Sequence, residues 1–141
     1  MEYGEQLLKI YTDGASRGNP GPASYGFLLV FEDEGIIHEQ NGYLGETTNN
    51  RAEYRAVINA LEKAADFHDG NVEVYSDSQL LVRQMQGRWK VKSPEIKKLY
   101  DIAVERTEKF KNVEFKHVSR ETEFVSRADS LCNQKLDEKG Y

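Results

Sequence analysis

The sequence predicts an α/β fold: a mixed sheet, antiparallel in its first half and parallel in its second, with helices packed on it. Two observations carry that prediction. Residues 7–44 hold three short apolar runs separated by turn-rich stretches, the pattern of an antiparallel meander. From residue 47 onward, apolar residues recur at helical spacing in segments that alternate with short strand-like runs. Strand–helix–strand units of that kind bring parallel strands together through a crossover.

The elements follow in order. Leu7 to Thr12 is a first strand, with Asp13 at its end and the turn SRGNPGP after it. Tyr25 to Phe31 (YGFLLVF) is a second, and the acidic turn EDEG leads to a third from Ile36 to Leu44. Polar residues interrupt this third run, which suits a sheet edge. Tyr54, Val57, Ile58, Leu61 and Ala65 then share one helical face. Thr48 or Asn49 can cap that helix, and Asn50 with Glu53 has capping-box spacing. Asp69-Gly70 ends it. Asn71 to Ser76 (NVEVYS) is the fourth strand, followed by Asp77, a short helix over Ser78 to Gln86, and Gly87 as its breaker. Ser93-Pro94-Glu95 starts another helix with a capping serine, a proline at the first helical position and an acid in the first turn. Ile96, Leu99, Tyr100, Ala103 and Phe110 form its buried stripe. Asn112 to Ser119 (NVEFKHVS) is the fifth strand. The last helix runs from Glu123 to about Asp137, with Val125, Ala128 and Cys132 on one side.

Composition narrows the function classes. A chain of 141 residues without linker or repeat is expected to form one domain over residues 1–141. The formal net charge of -5 gives no global attraction to nucleic acid but leaves room for a local basic face. One cysteine, Cys132, rules out an internal disulfide and a cysteine-based metal cluster. MEYGEQLLK lacks the basic and apolar regions of a signal peptide. No apolar run reaches the ~20 residues that span a bilayer, so a cytoplasmic setting is expected, with no membrane partner.

Ligands of such sheets sit outside the carboxyl ends of the parallel strands, and Asp13 and Asp77 both stand there. Two acids at adjacent strand ends repel each other unless a cation or hydrogen-bond donors compensate. Magnesium prefers hard carboxylate oxygens. A plainer reading stays open for each acid. Asp13 suits a turn, Asp77 a helix cap, Glu53 a reciprocal cap, and Asp129, next to Ala128, a solvent-facing helix position.

Four segments carry a resemblance. YTDGASRGNPGPASYG (residues 11–26), TTNNRAEYRA (47–56), VYSDSQ (74–79) and RADSL (127–131) resemble, in order and in kind of element, the signatures of the ribonuclease H family. The likeness is to its small type 1 enzymes and covers roughly Leu8 to Leu136. It implies a ribonuclease H-like fold, a mixed five-stranded sheet of order 3-2-1-4-5 with strand 2 antiparallel and helices on both faces. It also implies that Asp13, Glu53, Asp77 and Asp129 are the catalytic, metal-binding carboxylates of a monomeric endonuclease. The implied reaction is two-metal hydrolysis of the RNA strand of an RNA–DNA hybrid, leaving 5′-phosphate and 3′-hydroxyl ends. Two Mg2+ ions, replaceable by Mn2+, would sit ~3.5–4 Å apart. Asp13 would bridge them, Asp77 and Asp129 would hold the nucleophile-side ion, and Glu53 the leaving-group ion.

Telling RNA from DNA requires contacts to 2′-hydroxyls. The resemblance places Asn19, Asn49, Asn50 and Gln79 along the minor groove beside the cut strand, and Thr48 on a DNA phosphate. Gly14 and its turn would let the substrate backbone come close. Helix capping is the ordinary alternative for Asn49 and Asn50, and a plain turn for Asn19. The stretch RQMQGRWKVKSPEIKK, Arg83 to Lys98, carries a single acid, Glu95, and sets Trp89 between Arg88 and Lys90. Basic residues interleaved with an aromatic suit a DNA-strand groove; the alternative is that Trp89 closes the core.

The sequence also departs from the family. No histidine stands in the loop after the fifth strand, and His117, inside that strand, reads as a packing or edge residue. Arg120 resembles the arginine of short-loop relatives. Val125 occupies a position where those relatives have asparagine. Competing functions are a same-fold nuclease for structured or double-stranded RNA, a catalytically weak nucleic-acid-binding module, and a generic α/β domain. Acids at all four positions weigh against the second, and four ordered motifs against the third.

Overall fold

The computed structural model describes residues 6–141; most of the stretch expected to lack a signal peptide, residues 1–5, lies outside them. The elements are β1 (Leu8–Ser16), β2 (Gly21–Phe31), β3 (Gly35–Thr47), α1 (Asn49–Ala64), β4 (Asn71–Ser76), α2 (Gln79–Met85), α3 (Pro94–Thr107), β5 (Asn112–His117) and α4 (Glu123–Glu138). The sheet order is β3-β2-β1-β4-β5. β2 is antiparallel to both neighbours, and β4 and β5 continue the sheet in parallel. No helix among the described residues is long and apolar enough to cross a membrane.

The run YGFLLVF is apolar without alternation because both faces of β2 are covered, as in buried strands generally. Phe27, Leu29 and Phe31 pack with Leu8, Ile10 and the α1 residues Tyr54, Val57 and Leu61. Leu28 and Val30 face the other way, against Tyr11, Val125 and Leu131. Helix α3 lies outside α1, and its stripe buries Leu99 and Ala103.

Several boundaries differ from expectation, each for a local reason. The first two strands run further into their hairpin, because Asp13 to Ser16 keep pairing with Gly26 to Ala23. The parallel pairing of β1 with β4 stops at Tyr11 and Tyr75. Asp13 is therefore at a strand end only on the β4 side. Thr48 caps α1, its hydroxyl oxygen accepting from the Arg51 amide at 3.3 Å; Asn50 lies inside the helix rather than at a capping box. Ser78, not Asp77, caps α2. Phe110 falls beyond the end of α3 yet stays buried, and β5 stops at His117 rather than Ser119.

Candidate active site

The site forms where β1 outruns β4. Asp13 is almost fully buried there, 6% exposed. Helix α1 crosses β1 so closely that a Cβ on Gly14 would stand 2.3 Å from the Ala52 carbonyl carbon and 2.4 Å from the Glu53 nitrogen. The observed use of glycine at this position is thus helix–strand approach. That approach sets Glu53 beside Asp13, where its carboxylate takes hydrogen bonds from the Gly14 amide and from Ser78. Asp77 comes in from the end of β4. Ligand oxygens of Asp13, Glu53 and Asp77 all lie within 4.8 Å of one another.

Asp129 arrives from the opposite face. Gly26 stands directly across from Asp13 in the β1–β2 register, and a Cβ on it would lie 2.6 Å from the Ala128 carbonyl oxygen. Helix α4 therefore packs straight onto the strand, and Asp129 hydrogen-bonds with Asp13. The seat is fixed by Ser24 Oγ donating to the Cys132 carbonyl at 2.8 Å and Asn41 Nδ2 donating to the Leu131 carbonyl at 2.8 Å. Arg127 forms a two-pronged pair with Glu39 at 2.7 and 2.9 Å. Asp129 lies outside the tight three-acid group but lines the same cavity, of about 460 Å3.

Crowding raises the carboxyl pKa values of the buried acids. Burial, then the charge of Glu53, the hydrogen bond with Asp129 and the charges of Asp77 and Asp129 hold the Asp13 carboxyl far above the usual carboxylate range. Burial also raises Glu53, against the opposing hydrogen bond from Ser78. An all-oxygen donor set with this much mutual repulsion fits a hard divalent cation, which neutralises the charge and keeps some of its waters.

The expected reading residues divide. Asn49 lines the acidic cavity. Its Oδ1 accepts from the Ser16 amide at 3.0 Å and from the Ser16 hydroxyl at 2.9 Å. Asn19 Oδ1 in turn accepts from the Asn49 amide at 3.0 Å. A backbone N–H can only donate, so both side-chain amides have their oxygens turned inward and their NH2 groups left for other acceptors. Asn50 lies apart, in a small cavity with Ser93 and Gln84, and Gln79 opens α2. Arg120 lines the acidic cavity, its Nε 3.5 Å from an Asp77 oxygen. Arg88, Trp89 and Lys90 stand on an exposed loop and do not line the cavity. Trp89 is 46% exposed, so it does not close the core. The only acid of that stretch, Glu95, is paired with Arg51.

A family model described as reverse transcriptase-like matches residues 11–135. Ribonuclease HI of Halobacterium salinarum is 45% identical over 131 residues, which are 93% of this chain and 65% of that protein. A bifunctional protein of Mycobacterium tuberculosis is 40% identical over 91% of this chain and 35% of its own length. The chain thus spans only part of these curated relatives. The crystal structure of the Halobacterium salinarum ribonuclease H1 superposes with a TM-score of 0.89 at 44% identity, covering 94% of this chain and 98% of that one. The chain belongs to the ribonuclease H type 1 family. A further ribonuclease H1, designated LC11 and solved with an RNA/DNA hybrid, superposes at a TM-score of 0.83 with 44% identity, over 94% of this chain and 98% of that one.

Within that family, the chain's two sequence departures have physical accounts. Val125 is fully buried among Tyr11, Leu28 and Leu131, so the position serves the core and offers Asp129 no polar atom. His117 is not a packing residue. It ends the edge strand β5, is exposed and lines the acidic cavity beside Ser119 and Arg120. Ser78 reads in the sequence only as a helix start. Its oxygen accepts from the Leu81 amide at 3.2 Å while its hydroxyl donates to Glu53, so one side chain caps α2 and steadies the site.

Proposed function

We propose that this chain is a ribonuclease H that hydrolyses the RNA strand of RNA–DNA hybrids endonucleolytically, acting as a single monomeric catalytic domain in the cytoplasm. The observation that carries the proposal is the convergence of Asp13, Glu53 and Asp77 within 4.8 Å, with Asp129 on the same cavity. Two divalent ions, Mg2+ with Mn2+ as substitute, would supply an activated water and stabilisation of the leaving 3′ oxygen. Asp13, the least exposed acid of the group, would hold both ions. Asp77 and Asp129 would hold the ion on the nucleophile side. Glu53, steadied by Gly14 and Ser78, would hold the ion on the leaving-group side.

Substrate reading follows from the locked amides. Asn19 and Asn49 present donors, and every base pair offers acceptors in the minor groove, purine N3 or pyrimidine O2. Donors aimed there read hybrid without sequence preference, and they also bond the 2′-hydroxyl oxygens that mark RNA. Thr48 spends a lone pair on its cap, and its hydroxyl proton remains for a DNA phosphate. Asn50 and Gln79 extend the minor-groove face, and Trp89 with Arg88 and Lys90 supports the DNA strand. Arg120 would turn from Asp77 to substrate phosphate.

The test is cleavage of end-labelled hybrid, RNA duplex and DNA duplex of one sequence, with and without Mg2+. Hybrid cut at least a hundredfold faster than either duplex, with 5′-phosphate products and only when Mg2+ is present, is the expected result. Equal cutting of the RNA duplex would replace this reading with a double-stranded RNA nuclease.

A further inference from the structure

Asp129 has a neighbour that the reaction does not account for. One turn further along α4, Asn133 Nδ2 donates to the Asp129 carbonyl at 3.2 Å and to its carboxylate Oδ2 at 3.4 Å. Residues four apart share a helix face, so the contact follows from the spacing. The amide is also held in one orientation. Its Oδ1 accepts from Arg17 Nη2 at 3.3 Å, and a guanidinium only donates, so the NH2 end must face Asp129.

Arg17 belongs to the β1–β2 turn. Its amide donates to the Pro22 carbonyl at 2.8 Å, closing the turn that carries Asn19. Its guanidinium pairs with Asp137 at 2.8 Å and donates to the Tyr141 carbonyl. Tyr141 in turn stacks on Tyr43, with ring centroids 5.8 Å apart. One guanidinium therefore ties the helix bearing Asp129 to the turn bearing Asn19. The need for such a tie is plain from Val125, which is buried and apolar. Val125 offers the Asp129 carboxylate no hydrogen bond from four residues before it, and Asn133 offers one from four residues after.

We propose that Asn133 and Arg17 are positioning residues: Asn133 orients the Asp129 carboxylate toward its ion, and Arg17 fixes Asn133 while holding the turn that reads the hybrid. This rests on the assignment of Asp129 as a metal ligand. The two residues then act differently. Loss of Asn133 disturbs the ion alone. Loss of Arg17 disturbs the ion and the substrate together.

The experiment compares Asn133→Ala, Arg17→Ala, Arg17→Lys and Asp129→Asn with the parent chain. Three quantities are read: the Mg2+ concentration at half-maximal rise in melting temperature, the same midpoint for cleavage, and KM for hybrid at saturating Mg2+. Asn133→Ala is expected to raise both Mg2+ midpoints about tenfold, leaving KM and the metal-free melting temperature unchanged. Arg17→Ala should raise the midpoints and KM together. Arg17→Lys should restore neither, because a single ammonium cannot span Asn133, Asp137 and Tyr141 as a planar fork does. If Asp129→Asn abolishes cleavage but Asn133→Ala leaves both midpoints where they were, the positioning role is wrong and the site stands. A lowered metal-free melting temperature with unmoved midpoints likewise overturns it, as a purely structural contact. If Asp129→Asn retains full activity and metal response, the site assignment itself fails.

Discussion

In the absence of metal, burial and three neighbouring acids raise the Asp13 pKa and favour its protonated form. Its pKa in the folded chain exceeds the unfolded value, so between those values the folded state binds more protons than the unfolded state. Metal-free stability must then fall as pH rises above the ordinary carboxylate range. Asp13→Asn removes that dependence. The variant is expected to lose hydrolysis altogether and to gain ~1–3 kcal/mol of metal-free stability, the gain being larger at pH 8 than at pH 5. Urea unfolding at the two pH values, alongside hybrid cleavage, checks both halves; near-native activity would sink the assignment. Asn49 offers a sharper substitution. In Asn49→Asp an oxygen remains for Ser16, while the outward NH2 becomes a second oxygen. Hybrid KM should rise about tenfold or more, from a lost donor worth ~1.5–3 kcal/mol, with the melt little changed. The residues themselves were partly legible in the sequence. The four acids stand out because each lies inside one of the four motifs, and Asn49 is visible as cap or reader. That it does not cap, and which end of its amide faces out, depended on Ser16, a partner on another element. Asn133 was reachable from its four-residue spacing to Asp129, but nothing in the sequence marks such a pair as functional.

The elements were legible where one periodicity ruled. β4, α1 and the start of α3 follow from alternation, helical spacing and a Ser-Pro-Glu cap. The first two strands are longer than their sequence suggests, because Asp13, Gly14, Ser16 and Gly21 resemble turn residues locally while the first three still pair with β2 and Gly21 pairs with Thr47 of β3. Phe110 likewise kept its burial while leaving its helix. Gly26 shows what that pairing is for. It brings α4 down onto β2 opposite Asp13, and the obstacle to a larger residue is a backbone carbonyl, which cannot rotate away. Gly26→Ala should therefore cost ~1–3 kcal/mol of stability and also raise the Mg2+ needed for half-maximal cleavage, since Asp129 moves with the helix. A urea melt paired with a Mg2+ titration decides it. A loss of stability with the Mg2+ midpoint unmoved would mean that α4 shifts without carrying Asp129 off Asp13.

Across the whole molecule, a formal charge of -5 coexists with a proposed polyanionic substrate. Attraction then has to be local, and the exposed loop after α2 is where cations stand beside an exposed aromatic. Trp89→Ala should weaken hybrid binding by ~1–3 kcal/mol while shifting the melt by less than about 1 kcal/mol, as expected of an exposed side chain. Lys90→Ala should lower the slope of log K against log salt by about 1. Single-turnover cleavage against enzyme concentration at several salt concentrations separates the two effects. A large melt shift with unchanged half-saturation would remove Trp89 from the substrate face.

β1 continues past its parallel neighbour, so on that side its backbone has no strand to pair with beyond Tyr11. Side chains take over the ladder: Thr12 Oγ1 donates back to the Tyr75 carbonyl at 3.3 Å, and Asn49 Oδ1 accepts the Ser16 amide. The Ser16 amide proton is consequently a clock on the reading network. In deuterated water it should exchange slowly, faster in Asn49→Ala, and more slowly still when hybrid pins Asn49 from the outside. Exchange at Ser16 that ignores both the substitution and the hybrid would show that Asn49 and the strand edge move independently.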